Sequence, residues 1–470
     1  MSLAEKAINF NRLEKEIFEE CHKLGCETLK KILQGYDGEL MKARDKKKYR
    51  HKGHHKSVIK TVMGEVEYSR AVYEVKNEDG TKSFVYLLDK IMEIKGSGFM
   101  SGLLSGQIAE AVCAGTYRRA AQSISEMTGQ RISHQAAWNV TQSLGAEVEK
   151  QEERLAALAA NNEGSGQLET KILFEEKDGI WLHLQGSDRK KHGGSHEMKV
   201  AIAYDGAEAV GKKRYRLTNK VAAANFESAG KFHKRKEGII ANVYNIDEIE
   251  TRIINGDGAS WIKQHGVDET AHFQLDTFHR NKAIVKAAPD ANARKTMFKL
   301  LYDKKIDDLL MYIDALANSL EDEEQAGKLR TLHTYFTNNR EGLISYKRRG
   351  LDLPEPPADK EYRGMGAMES NIFTIIGNRM KGGRACWSID GGNNLARLLT
   401  LKHTGKLHPV LNEAANWTLP ERYIQEVTMT SSKAPKHDGK GYEPSRVGTF
   451  PATPDFKFLR DFGKLDSVFA

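Results

Sequence analysis

Cysteine is scarce in this chain: four among 470 residues, at Cys21, Cys26, Cys113 and Cys386. That is too few for a cystine scaffold, and the Cys21–Cys26 spacing is wrong for a zinc knuckle. Long apolar runs are also missing. No stretch approaches the roughly 18 uninterrupted apolar residues of a membrane span, and no basic-then-apolar segment follows Met1 to Lys6. These absences exclude a secreted disulfide-rich protein and a membrane protein, and they predict a cytoplasmic chain with reduced thiols. Charge of one sign is only mildly in excess, 72 Lys and Arg against 64 Asp and Glu for a net +8, so its distribution matters more than its sum.

Between Met41 and Lys60 the distribution is uneven: nine Lys or Arg and three His stand against one acid, Asp45. Such density is the electrostatic footprint of a polyanion. Lys42, Arg44, Lys46, Lys47, Lys48, Arg50, Lys52 and Lys56 are the expected phosphate contacts; a solvated loop is the plainer reading. At roughly 100–200 residues per domain, the length allows two to four domains. The pattern divides into a helix within 1–40, the basic arm and a small β unit within 41–98, and a helical region over 99–160. In that region Thr116–Met127 and His134–Leu144 flank Gly129, which fits a helix-turn-helix or an ordinary helical hairpin.

After a polar, glycine-containing linker, strands and helices alternate over 168–284, which predicts an α/β domain with a mixed sheet. The segment Lys171–Gln185 reads as strand interrupted at Gly179. Residues 285–357 are almost wholly helical and read as an insertion closed by Pro354, Pro356 and Pro357. A helical return over 358–418 and an irregular tail over 419–470 complete the chain.

Three acids sit in unusual surroundings. Asp178, followed by Gly179, interrupts a strand-like run, a local conflict of the kind that marks functional sites. Asp257, between Gly256 and Gly258, ends a short apolar strand, where open α/β sheets place their ligands. Glu369 opens a helix that soon meets Arg379, Lys381 and Arg384, three further nucleic-acid contacts expected here. Singly, each acid reads as a turn or helix-dipole residue. Together, clustered carboxylates tolerate proximity only when protons or divalent cations neutralise them. Asp276 and His279, at the junction of a strand and a helix, read either as a helix cap or as support for a metal ligand.

The string Asn255-Gly256-Asp257-Gly258-Ala259-Ser260-Trp261-Ile262-Lys263, followed by Phe273 to His279, resembles insertion-sequence DDE transposases of the ISLre type, allied to the Mutator-like superfamily. The likeness extends to Lys177–Gln185, Lys199–Tyr204 and Ala367–Asn371, with a fainter trace around Met63–Val66 and Tyr86–Asp89. It implies an RNase H-like catalytic domain with Asp178, Asp257 and Glu369 holding two Mg²⁺ or Mn²⁺ ions, Asp276 and His279 as an Asp-x-x-His signature, and the helical insertion of that clade. It implies DNA partners, namely element terminal inverted repeats and target DNA, nucleoid association, and a homo-oligomer at least on DNA. A transposase-derived regulator or a stand-alone nuclease is the alternative. Lys177 departs from the family pattern, with two consequences open: weaker metal affinity, or a side chain on the other face. Glu175 and Glu176 are the alternative first ligands.

Overall fold

The computed structural model describes residues 9–77, 79–92, 100–263 and 271–414. The expected irregular tail lies outside these residues. Two compact units emerge among them, one drawn from Met1–Gln107 and Gln122–Ser133, the other from Ile108–Ala121 and His134–Ala414.

In the first unit, α1 (Phe10–Ala43) begins at Asn9, whose side chain caps Arg12 N. It packs on an antiparallel sheet of β1 (Arg50–Thr61), β2 (Gly64–Lys76) and β3 (Lys82–Val85), followed by α2 (Leu87–Ile91). Leu33 and Tyr36 of α1 meet Ile59, Val66 and Tyr68, with Leu88 and Met92 closing the core. The Asp37 carboxylate reaches into this core and accepts the Ala71 N–H at 2.8 Å. Gly64 takes φ +128°, the turn conformation that the hairpin needs. The expected basic arm is no arm: α1 runs through Lys42, and Arg50–Thr61 is strand.

The unit boundary passes through α3 (Gly102–Ala114) and α4 (Tyr117–Thr128). The next element, α5 (His134–Ala160), starts where the expected short helix His134–Leu144 does but runs on well past Leu144. One face of it is packed against the rest of the second unit. Ala137, Val140, Thr141, Gly145 and Val148 are buried, and two arginines from elsewhere in the second unit clamp its acids. Arg397 reaches Glu149 at 2.6 Å and Glu152 at 3.2 Å, while Arg235 reaches Glu149 and Glu153.

The second unit is built on a five-stranded mixed sheet. Its strands are β4 (Ile172–His183), β5 (Ser195–Tyr204), β8 (Val221–Asn225), β9 (Thr251–Gly256) and β10 (Ala271–Leu275). Across the sheet the order is β10-β9-β4-β5-β8. Strands β4, β5 and β8 are antiparallel neighbours; β4, β9 and β10 run parallel. Between β4 and β5 lies α6 (Gly186–His192), and β6 (Ala207–Gly211) with β7 (Arg214–Leu217) forms a separate hairpin. Contrary to expectation, β4 is unbroken at Gly179: Asp178 pairs with Val200 and Gly179 with Lys199. A Cβ there would lie 2.1 Å from Glu197 Oε1, the end of a flexible side chain on the neighbouring strand, so the glycine leaves that side chain room.

Adjacent residues of β4 point to opposite faces. Glu175 meets Lys236 of α7 (Ala229–Ala241), whereas Glu176 meets the backbone leading into α13 (Met368–Ile372). Helix α7 therefore covers one face and α13 the other. After α8 (Ser260–Lys263) and β10, the chain leaves the sheet as α9 (Thr277–Ala287), α10 (Ala291–Tyr302), α11 (Ile306–Ser319) and α12 (Glu323–Asn338). These helices share a core of Ile284, Met297, Leu309, Ile313, Leu329 and Phe336. The chain returns at α13, which continues through a π turn (Phe373–Gly377) into α14 (Asn378–Met380), then α15 (Ile389–His403) and α16 (Leu407–Ala414). No described helix is long and apolar enough to cross a membrane.

Candidate functional site

Strand register assembles the site. Lys177 of β4 pairs with Gly256 of β9, and Gly256 pairs with Leu275 of β10. Asp178, Asp257 and Asp276 are the next residue in each case, so three carboxylates stand side by side across three adjacent parallel strands: Asp257 and Asp276 just past the carboxyl ends of β9 and β10, and Asp178 within β4, which runs on beyond them. The Asp276 N–H donates to Gly256 O at 2.7 Å and fixes that edge. Loop geometry holds each acid: Asp257 Oδ1 accepts the Ala259 N–H at 2.9 Å, and the Asp257 carbonyl accepts the Tyr335 hydroxyl at 2.7 Å.

Asp276 caps α9. Its Oδ1 accepts the His279 backbone N–H at 2.9 Å and lies 3.1 Å from His279 Nδ1; its Oδ2 accepts Asn255 Nδ2 at 3.1 Å. Burial would raise its pKa, but the hydrogen bonds from His279 and Asn255 prevail and hold it down at about 2. The hydrogen bond to Asp276 raises the pKa of His279 against burial, and the charges of Asp178, Asp276 and Asp257 add to the effect. Asp178 is raised, first by burial and then by the charges of Asp257 and Asp276.

Glu369 arrives from α13, across the whole helical segment. Burial and the Asp276 charge push its pKa up to about 7. One ligand atom from each of Asp276, His279 and Glu369 lies within 4.8 Å of the other two. Glu369 Oε1 is buried with no hydrogen-bond partner among the described residues. Hard oxygen donors and an orphaned carboxylate oxygen fit a divalent cation. The tightest trio is thus Asp276, His279 and Glu369, with Asp178 and Asp257 in electrostatic reach of His279.

Neither alternative first ligand is available. Glu175 is on the opposite face, where Lys236, Lys177 and Arg252 surround it. Lys177 belongs to that cluster, so it turns away from Asp178; burial, then the Lys236 charge, brings its pKa down to about 8. Glu176 shares the face of Asp178 but is fully committed. It accepts the backbone N–H groups of Gly366, Ala367 and Met368, the Tyr204 hydroxyl and Asn255 Nδ2. Asn255 therefore bridges Glu176 and Asp276, and Gln274 Nε2 donates to Asn255 Oδ1. Sequence reasoning missed Asn255 as a bridge, although strand alternation from Asp257 puts it two residues back on one face. It also missed Glu197, whose raised pKa reflects burial and then the Asp257 charge.

The expected nucleic-acid contacts divide. Lys42, Lys46, Lys47, Lys48 and Arg50 are exposed and form no ion pair with a described residue. Lys52 pairs with Glu74 at 3.0 Å and Lys56 with Glu67 at 2.9 Å. Arg44 donates to the Met41 and Tyr49 carbonyls and lies 5.5 Å from the Tyr73 ring centre. Arg379 is a structural residue rather than a surface contact: it donates to Val112 O at 2.7 Å and lies near the Tyr117 and Trp387 rings. Lys381 and Arg384 are exposed, and Lys381 lines a cleft with Asp178 and Trp181.

Among relatives, a protein of Streptococcus gallolyticus described as a UPF0236 protein in the vanSb 3′ region is 24% identical over 84% of this chain and 84% of its own length. A UPF0236 protein of Caldanaerobacter subterraneus subsp. tengcongensis, whose name joins eleven locus designations, is 24% identical over 97% of this chain and 92% of its own. The Drosophila P element transposase strand transfer complex aligns with 71% of this chain and 87% of its own at 12% identity, but with a TM-score of 0.21, too low to speak to the fold. The family model described as Uncharacterised protein family (UPF0236) matches residues 3–413, and the chain belongs to that family.

Proposed function

We propose that this chain is a DNA transposase that cuts strands at element ends and joins them to target DNA. The observation that carries the reading is the convergence of Asp178, Asp257, Asp276, His279 and Glu369 from four separate segments on one sheet edge. Three antiparallel strands followed by two parallel ones, with a carboxylate helix returning after a helical insertion, fit the RNase H-like domain that the sequence resemblance implies. One relative's name spans eleven designations in a single organism, as a gene that copies itself around a genome would require.

Asp178, Asp257 and Glu369 would hold two Mg²⁺ or Mn²⁺ ions, with Asp276 beside them. When bound, the metal supplies an activated oxygen nucleophile and stabilises the leaving oxygen. The chain's own part is positioning. Asp276 and Asn255 orient His279 and Glu176, and Glu176 grips the turn that delivers Glu369. Exposed lysines of the first unit would contact DNA phosphates, and synapsis of two ends calls for at least two copies of the chain.

The test is Mg²⁺-dependent cleavage and joining of a duplex carrying the element's terminal repeats. Asp178→Asn, Asp257→Asn and Glu369→Gln should each lower both steps by roughly three orders of magnitude while DNA binding persists. Near-full cleavage by any variant strikes that residue from the set. Cleavage without joining makes the chain a nuclease, and binding without cleavage by the wild type makes it a regulator.

A further inference from the structure

Beyond the carboxylate cluster, a cleft of about 650 Å³ opens along α13. Ala367, Ser370 and Asn371 line it, which are positions i, i+3 and i+4 of one helix face. Glu369 is off that face and turns toward Asp276 and His279. The remaining wall is basic. Arg216, Lys220, His403 and Lys406 contribute, and no carboxylate among the described residues lines the cleft.

The cations differ in how they are satisfied. Arg216 is paired with Glu208 outside the cleft. Among the described residues, Lys220 Nζ donates only to the neutral Asn371 Oδ1, at 2.8 Å. The Lys406 ammonium has no ion pair or hydrogen bond with a described residue. Both lysines are partly buried, and burial lowers the pKa of each with no acid named in opposition. His403 is lowered by burial and by Lys220 and Lys402, against a pull from Glu110. Desolvated like charges without a counter-ion are unfavourable unless an anion completes them.

We propose that this cleft is a phosphate-binding subsite, in which Lys220 and Lys406 take the anionic oxygens; the Ser370, Asn371 and Thr404 side chains donate to backbone carbonyls and shape its wall. If the transposase reading holds, the phosphate belongs to a DNA strand lying across α13, with Glu369 on one side and the cations on the other. That assignment of the source rests on the reading; the anion site does not.

The experiment uses the full chain and two probes, inorganic phosphate by calorimetric titration and a labelled random-sequence duplex by anisotropy between 50 and 200 mM KCl. The variants are Lys220→Gln, Lys406→Gln and the double variant, with Lys406→Arg retaining the charge. For a strand-backbone site, each lysine lost should weaken duplex binding roughly tenfold. The double variant should lower the log-affinity against log-salt slope by about 1.8, and Lys406→Arg should bind within about twofold of wild type. For a free-phosphate site, the double variant loses phosphate binding and its salt slope is unchanged; the subsite then stands while the strand assignment fails. Wild type that binds phosphate through these lysines but no duplex overturns the transposase reading alone. If phosphate affinity, duplex affinity and salt slope are all unmoved in a folded double variant, the subsite is refuted. Should the double variant unfold, the folded single variants decide by the same criteria.

Discussion

His279 Nδ1 lies 3.1 Å from Asp276 Oδ1, and the same oxygen accepts the His279 backbone N–H at 2.9 Å, so one carboxylate oxygen fixes both the helix start and the imidazole. The ring so placed feels the charges of Asp178, Asp257 and Asp276. Those charges, with the hydrogen bond to Asp276, favour the protonated ring, which is why its pKa is raised.

This makes His279 a positioning residue with a measurable role. His279→Gln should lower Mg²⁺-dependent cleavage roughly 10- to 100-fold, the usual effect of losing a group that orients a metal ligand. DNA binding should be unchanged. Equal cleavage by variant and wild type across a Mg²⁺ titration would show that the Asp276–His279 pair only caps a helix.

Glu176 offers a different contrast. Its carboxylate accepts three consecutive backbone N–H groups ahead of Glu369, with Tyr204 and Asn255 as further donors. Glu176→Gln swaps one acceptor oxygen for a donor that faces donors, and should cost about 1–3 kcal/mol. Chemical denaturation measures this directly. Asp178→Asn, half-buried within β4, should be near neutral by the same measurement while losing cleavage.

For the basic run, the structure sharpens which residues matter. Lys46, Lys47 and Lys48 form no ion pair with a described residue, whereas Lys52 and Lys56 already have acidic partners across the β1–β2 hairpin. Changing the first three to Gln should lower the salt slope of duplex binding by up to about 2.7, at about 0.9 per phosphate contact. Changing Lys52 and Lys56 should lower it less. Equal effects from the two sets would mean that the hairpin ion pairs open on DNA.

How far the sequence announces these features depends on whether the signal is local. Asp178, Asp257 and Glu369 are each marked by a local conflict: a carboxylate in a strand, between glycines, or opening a helix. Their proximity is a property of strand order, which no local pattern encodes. The break expected at Gly179 is absent because β5 pairs with β4 on both sides of it, Asp178 with Val200 and Ile180 with Met198. Strand β8, Val221-Ala222-Ala223-Ala224-Asn225, has alanine-rich chemistry that favours helix, and pairing with β5 overrides it. Arg379 looks like a surface cation in sequence; only the fold reveals the Val112 carbonyl and the two rings beside it.

On the face of the sheet away from the site, Glu237 joins Glu175, Lys236 and Arg252 in a buried ion cluster. Burial raises the Glu237 pKa, but the Lys236 and Arg252 charges win and hold it at about 2, below the ordinary 4.5. A folded-state pKa below the unfolded one gives stability that is complete above the unfolded value and is lost as pH falls through the folded one. The contribution, on the order of 3 kcal/mol, should therefore disappear between about pH 4.5 and 2. Glu237→Gln should flatten stability against pH in that window relative to wild type; parallel curves would place the acid-labile groups elsewhere.

The last prediction concerns α5, which the sequence offers either as part of a helix-turn-helix or as an ordinary packing helix. Gly145 lies where a Cβ would stand 2.4 Å from the Asn394 Cβ and 2.6 Å from its Cα, so α5 and α15 approach backbone to backbone. Three residues of α5, Glu149, Glu152 and Glu153, are then held by Arg397 of α15 and Arg235 of α7. Gly145→Ala must push two helices apart and should cost about 1–3 kcal/mol, the range for overpacking. Arg397→Ala removes one of the two arginines that hold Glu149 and Glu152, leaving only Arg235, and should cost about 3 kcal/mol, the low end for breaking a buried pair. Lys150→Ala, on the exposed side of the same helix, should stay within about 0.5 kcal/mol of wild type. Thermal or urea unfolding of the three variants decides between the two roles. A recognition helix would tolerate Gly145→Ala and Arg397→Ala and lose DNA affinity at exposed Gln135 and Asn139 instead; a support helix loses stability in that order, Arg397 most, Lys150 least.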